Sequence, residues 1–177
     1  MKKIVAFGAS SSSNSINKTF ATYAANQIHN SQTIILDLND FEMPIYSEDY
    51  ERKNGIPTEA HQFKNIIKKS DGIIISFAEH NGAYTAAFKN IFDWISRIEK
   101  IVWCNKPMFL LSTSNGANGA SLVLNMAYSR MSRGNPNNIP YFSLPNYNDN
   151  FDNELGIKNK KLNKKFIDGL SIFIQSL

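Results

Sequence analysis

The sequence predicts an α/β fold built on a doubly wound parallel sheet, and three observations carry that reading. Five short apolar runs recur along the 177 residues. The first four are mostly apolar without clean alternation, as expected of strands covered on both faces. Between the runs, and after the last, apolar residues recur at helical spacing, so strand and helix alternate five times. No Pro- or Gly-rich linker and no internal repeat interrupts this order, which makes residues 1–177 a single domain.

The first run, KIVAFG, ends at Gly8, and the polar stretch ASSSSNSINK follows it. A helix is predicted over 15–29, with Ile16, Phe20, Tyr23, Ala24 and Ile28 on one face. The second run, TIILDL, begins at Thr33, and its helix spans 58–69 with Ile56 and Pro57 leading into it. The third run, GIIISF, begins at Gly72. The helix after it covers 84–98, with Phe88, Ile91, Phe92 and Ile95 on one stripe. The fourth run, PMFLLST, leads to a helix over 119–131, and the fifth is PYFSLP from Pro140. Leu162, Phe166, Leu170, Phe173 and Leu177 place a closing helix. The stretch PNYNDNFDNELGIKN before it carries no periodic signal.

Composition narrows the function. Hydrophobic residues make up 42% and charged residues 19%, ordinary for a globular chain. The net charge of +4 owes much to IKNKKLNKKF, which reads as a solvated helix face because no basic stripe is interleaved with aromatics. No nucleic-acid partner is therefore expected. One cysteine, Cys104, excludes an intrachain disulfide and a zinc framework, fits a reducing compartment, and reads as a structural thiol. The apolar run after MKK is too short for a signal peptide, and no window approaches a membrane span. The expected location is the cytoplasm, with no membrane partner.

In such a sheet, ligands bind outside the carboxyl ends of the strands, near the switch in strand order. Three loops lie there: GASSSSNSINK, FAEHNGAYT and STSNGANGA. In the first, a strand runs into a helix N-terminus, whose free N–H groups and dipole favour an anion. Ser10, Ser12, Ser13, Ser15 and Asn17 add hydroxyl and amide donors. Helix capping by Ser13, Asn14 or Ser15 explains one such residue, not six. The loop lacks the Gly-Lys-Ser/Thr of a phosphate-binding Walker loop and the partner glycines of a dinucleotide fingerprint. No nucleophile elbow, acid–base pair or metal spacing is present, so no catalytic side chain and no metal ligand is assigned.

The segment AEHNGAYTAAFKNIFDWISR, residues 78–97, resembles the NAD(P)H-dependent FMN reductase family, which includes quinone, azo-dye and chromate reductases. Glu79, Asn81, Gly82, Lys89, Asn90, Asp93 and Trp94 match its motif in place. STSNGANGA resembles the family's Ser-Thr-Ser-Pro-Gly-Gly loop. The opening loop matches at Gly8, Ser15 and Asn17 if one residue is inserted, and DLNDFEMPIYSEDYE resembles the acidic loop after the second strand. The likeness fades after about Pro145.

That resemblance implies a flavodoxin-like three-layer sandwich with strand order 2-1-3-4-5. It implies FMN as cofactor and NAD(P)H as co-substrate, with ping-pong hydride transfer to a small-molecule acceptor such as a quinone or azo compound. The phosphate would lie on Ser10, Ser12, Ser15, Ile16 and Asn17. Glu79, His80, Asn81 and Gly82 would flank the ring on one side, and Ser114, Asn115, Gly116 and Gly119 on the other. The backbone N–H groups of Asn81 and Gly82 would meet its polar edge. Gly82, Gly116 and Gly119 suit close approach or unusual φ. A homodimer or tetramer is implied, with Phe92 and Trp94 in the core and a dimer interface, near Phe41, Tyr46 and Tyr50. Lys89 and Asp93, four apart, are expected to pair on the helix surface.

The departures are specific. The family arginine of the first loop is absent, and serines, with Lys18 nearby, must serve instead. Ala78, His80 and Asn115 replace a proline, a tyrosine and a proline. Two other readings stay open: a flavodoxin-type electron carrier, and a flavin-free phosphate- or nucleotide-binding module of the same fold.

Overall fold

The architecture was derived from a computed structural model describing all 177 residues. After two exposed lysines, strand β1 (Lys2–Ala9) buries six consecutive residues. Helix α1 (Ile16–Asn26) and strand β2 (Ser31–Leu36) follow, then a 3₁₀ turn (Leu38–Phe41), α2 (Glu48–Asn54) and α3 (Thr58–Lys69). Next come β3 (Gly72–Phe77), the two-residue strands β4 (Glu79–His80) and β5 (Ala83–Tyr84), and α4 (Ala86–Ile98). β6 (Met108–Thr113), α5 (Ser121–Met131) and β7 (Tyr141–Leu144) complete the main sheet. Short α6 (Tyr147–Asn150), β8 (Phe151–Asp152) and β9 (Gly156–Ile157) lead into α7 (Lys160–Gln175).

The five long strands lie in the order β2-β1-β3-β6-β7, all parallel. These are the five predicted runs in the order 2-1-3-4-5. Alternate residues of each strand feed two cores. On one face Val5, Phe7, Ile73, Ile75 and Leu110 meet Phe63, Phe88, Trp94 and Leu124 of α3, α4 and α5. On the other Ile4, Ala6, Ile74, Phe109 and Leu111 meet Phe20, Phe166 and Phe173 of α1 and α7. Each of the buried Val, Leu, Ile and Phe side chains stabilises the fold by about 1.5–3 kcal/mol.

The structure differs from the sequence reading where polar or backbone interactions set boundaries. α1 ends at Asn26, short of His29. α4 starts at Ala86 because Ala83 and Tyr84 belong to a hairpin, and α5 starts at Ser121 because Ala120 is left-handed at φ 60°. α2 has no buried residue, so it has no apolar stripe to read; Ser47 caps it, with Glu48, Asp49 and Glu51 in its first turn. The unread stretch after Pro145 forms α6 and the β8–β9 hairpin, which lies on α1. There the Tyr23 and Phe151 rings meet edge to face at 5.2 Å. No helix is long and apolar enough to cross a membrane.

Candidate active site

Gly8 sets the geometry of the first loop. A Cβ there would stand 2.4 Å from Lys18 N, so glycine is required for α1 to rest its first turn on the end of β1. Ser15 is the N-cap, its Oγ accepting from Lys18 N at 3.1 Å. Asn17 is buried and both ends of its amide are engaged: Nδ2 donates to Thr113 O at 3.1 Å, while Oδ1 accepts from Ser76 Oγ and Thr113 N. It locks α1 to the carboxyl ends of β3 and β6.

The second loop is a two-residue hairpin. Asn81 at φ 53° and Gly82 at φ 75° turn β4 back onto β5, the left-handed pair that a primed turn requires. Glu79 reaches from this hairpin to α5, where Oε2 accepts from Val123 N at 3.0 Å. A carboxylate there supplies the cap that Ala120 lacks. Thr85 caps α4 and donates to Ala9 O at 3.0 Å, tying the hairpin to β1.

The third loop is pinned at both ends. Ser112 Oγ and Ser143 Oγ both donate to Gly119 O, and a Cβ on Gly119 would stand 2.4 Å from Ser143 Oγ. Gly119 is also left-handed, at φ 56°. Gly116, by contrast, has no positive φ and only Ser114 Oγ within reach at 3.7 Å, so the chain itself does not require glycine there.

The three loops meet in one cleft of about 230 Å³. Ser10, Ser12, Ser15, Ile16 and Asn17 line one side, Glu79 and His80 another, and Ser114 and Asn115 a third. Asn14, Ala78 and Thr113 complete it. Asn81, Gly82, Gly116 and Gly119 stand outside the lining and shape the loops. The Asn-Gly pair is a hairpin signal visible in the sequence. The Glu79 cap was not visible, because its partner lies 44 residues away.

No lysine or arginine lines the cleft. Lys18 is not part of the cleft lining, and its ammonium is paired with Asp37 at 2.5 Å. The hydrogen bond from Lys18, chiefly, holds the Asp37 carboxyl below its ordinary range. On the α1 side of this cleft an anion would meet serine hydroxyls and the N–H groups of Ile16 and Asn17, which precede any intrahelical acceptor.

The motif residues of α4 serve structure. Lys89 and Asp93 pair at 2.7 Å. Asn90 accepts from Tyr46 N and donates to Met43 O and Pro44 O, and Trp94 Nε1 donates to Pro44 O at 2.7 Å. Trp94 is fully enclosed by its own chain, with Tyr46 and Tyr50 packed edge-on against it.

Residues 2–149 match the family model of NADPH-dependent FMN reductase. The chain belongs to that family. Among relatives of this chain, a 2-hydroxy-1,4-benzoquinone reductase from a Burkholderia species is 37% identical over 82 residues, 46% of this chain and 44% of the relative. An NADPH azoreductase from Bacillus sp. (strain OY1-2) is 28% identical over 70% of this chain and 65% of its own. The chain thus aligns with about half the length of such relatives. Its fold matches the flavoenzyme NAD(P)H:(acceptor) oxidoreductase FerB from Paracoccus denitrificans, with a TM-score of 0.77 at 20% identity, covering 99% and 97% of the two chains.

Proposed function

We propose that this chain is an FMN-dependent NAD(P)H oxidoreductase acting on a small, flat, electron-poor acceptor such as a quinone or azo compound. The observation that carries the reading is the convergence of the three strand-end loops on one cleft whose floor is the N-terminus of α1. The donor set fits FMN. Ser10, Ser12 and Ser15 with the Ile16 and Asn17 amides suit a phosphate, and the lining carboxylate, Glu79, is already engaged by Val123 N.

FMN, when bound, supplies hydride acceptance from NAD(P)H and electron transfer to the acceptor. This chain's residues then bind and orient. The α1 N-terminus holds the phosphate without a formal counter-charge. The 79–82 hairpin and the 114–119 loop present backbone groups to a ring, and their shape is fixed by Glu79, Thr85 and Gly119 rather than by the ligand. His80, exposed at the mouth, is placed to meet the incoming substrate. No side chain in the cleft is arranged as a nucleophile or acid–base pair, which fits chemistry carried by the cofactor.

We further propose a homodimer or tetramer, supported by Leu122 and Met126, which lie one turn apart on α5 and are 60% and 42% exposed. Sedimentation velocity tests this. A cytoplasmic location is proposed from the single free cysteine and the need for NAD(P)H. The deciding experiment is the visible spectrum of the purified protein after FMN is added and the excess removed. A flavin spectrum bleached by NAD(P)H and restored by a quinone supports the reading. A colourless protein that retains no FMN overturns it in favour of the flavin-free module, and bleaching without turnover of a free quinone would favour the electron carrier.

A further inference from the structure

A second pocket lies at the opposite end of the sheet. It sits where the chain enters β6 and β7, whereas the cofactor cleft lies where β6 ends. Its volume is about 180 Å³, and Lys100, Trp103, Asn105, Arg130, Arg133 and Asn135 are among its lining residues. Three of these are cationic and none of the lining is acidic. Lys100, Arg130 and Arg133 take part in none of the chain's seven ion pairs. The carboxylate adjoining Lys100 in sequence, Glu99, is engaged by Lys64 at 3.1 Å and Lys68 at 3.3 Å. Arg130 is held with its guanidinium 5.5 Å from the Phe92 ring.

The hydrogen-bonding balance is one-sided. Trp103 is 6% exposed, and its Nε1–H is buried with no partner in the chain. A buried donor without a partner costs free energy unless a ligand or water satisfies it. Several acceptors of the surrounding segment are already occupied. Ile101 O and Val102 O receive the buried Lys64 ammonium. Trp103 O accepts from Lys106 N, Asn105 O from Asn137 Nδ2 and Lys106 O from Asn135 Nδ2. Asn135 Oδ1 accepts from Asn137. Cys104 and Asn105 are both left-handed, at φ 55° and 54°, a costly conformation that these bonds hold in place. The pocket therefore carries free positive charge and, in one of its lining residues, a buried donor without a partner.

We propose that this pocket is a ligand site for a small multivalent oxyanion of phosphate or pyrophosphate chemistry, separate from the cofactor cleft. Lys100, Arg130 and Arg133 supply the charge, and the Trp103 indole N–H donates to one oxygen. Helix-dipole compensation accounts for Arg130 and Arg133 near the end of α5, but not for Lys100 or the orphaned indole.

The test is a titration of the purified protein with inorganic pyrophosphate, and separately with glycerol phosphate, at ionic strength held constant with NaCl. The two indole N–H signals are followed by ¹H–¹⁵N NMR. The expected result is a saturable shift of the Trp103 signal while that of Trp94, bonded to Pro44 O, stays fixed. The K100Q/R133Q double variant, altered only at exposed residues, should weaken the response at least about tenfold. A response to pyrophosphate alone assigns an inorganic ligand, and one to glycerol phosphate assigns an organic phosphate. Four results would overturn the proposal: no saturable shift, an equal shift with NaCl, unchanged affinity in the double variant, or shifts confined to the amides of residues 10–17.

Discussion

Placing a charge at Ser15 tests the phosphate position with the fold held constant. Ser15 is 7% exposed, caps α1 through Lys18 N at 3.1 Å, and lines the cleft. Aspartate caps a helix as well as serine does and suits the positive end of the dipole, so Ser15→Asp should leave stability within about 0.5 kcal/mol. Its carboxylate, however, would face the bound phosphate. Two unit charges roughly 6 Å apart repel by about 0.7–3 kcal/mol at effective dielectric constants between those of water and a protein surface. Since each 1.4 kcal/mol is tenfold, FMN affinity should fall by about threefold to a hundredfold. The assay is quenching of flavin fluorescence on titration into apoprotein, with thermal melting as the control. The deficit should shrink as salt rises. Unchanged affinity in a variant that melts normally would refute the placement of the phosphate at the start of α1.

Asn17→Ala should cost about 2–4 kcal/mol in urea unfolding, because Ser76 Oγ and both backbone groups of Thr113 lose their partner. Gly119→Ala should be comparably destabilising, by about 2–4 kcal/mol, because it adds a left-handed alanine and a contact with Ser143 Oγ and Pro145 N that cannot both relax. Asp37 has a folded pKa below its unfolded value near 3.8, so its stabilising contribution is present above about pH 4 and is lost as pH falls through the lower folded value. Asp37→Asn should therefore lower stability at neutral pH and flatten the acid limb of a melting-temperature profile; an unaltered acid limb would contradict the Lys18 pairing.

The sequence by itself determined the strands and the loops at their carboxyl ends, because fully buried parallel strands need continuous apolar runs and the helices between them need an amphipathic stripe; the strand order was implied by the family resemblance, not by periodicity. It also determined which residue types crowd the cleft, since nine of the thirteen residues assigned from the loops line it. Tertiary structure alone decided what those residues do. Asn17 was read as a ligand contact, yet its amide stitches α1 to β3 and β6. Glu79 caps a helix 44 residues away, and Lys18 turns from the cleft to Asp37. Helix α2 and the β8–β9 hairpin escaped for a related reason. One has no buried face to leave a period, and the other is held by packing on α1 rather than by any local pattern. Periodicity records which side of an element is buried. Polar side chains answer to partners distant in sequence, and only the folded chain brings those partners within hydrogen-bonding distance.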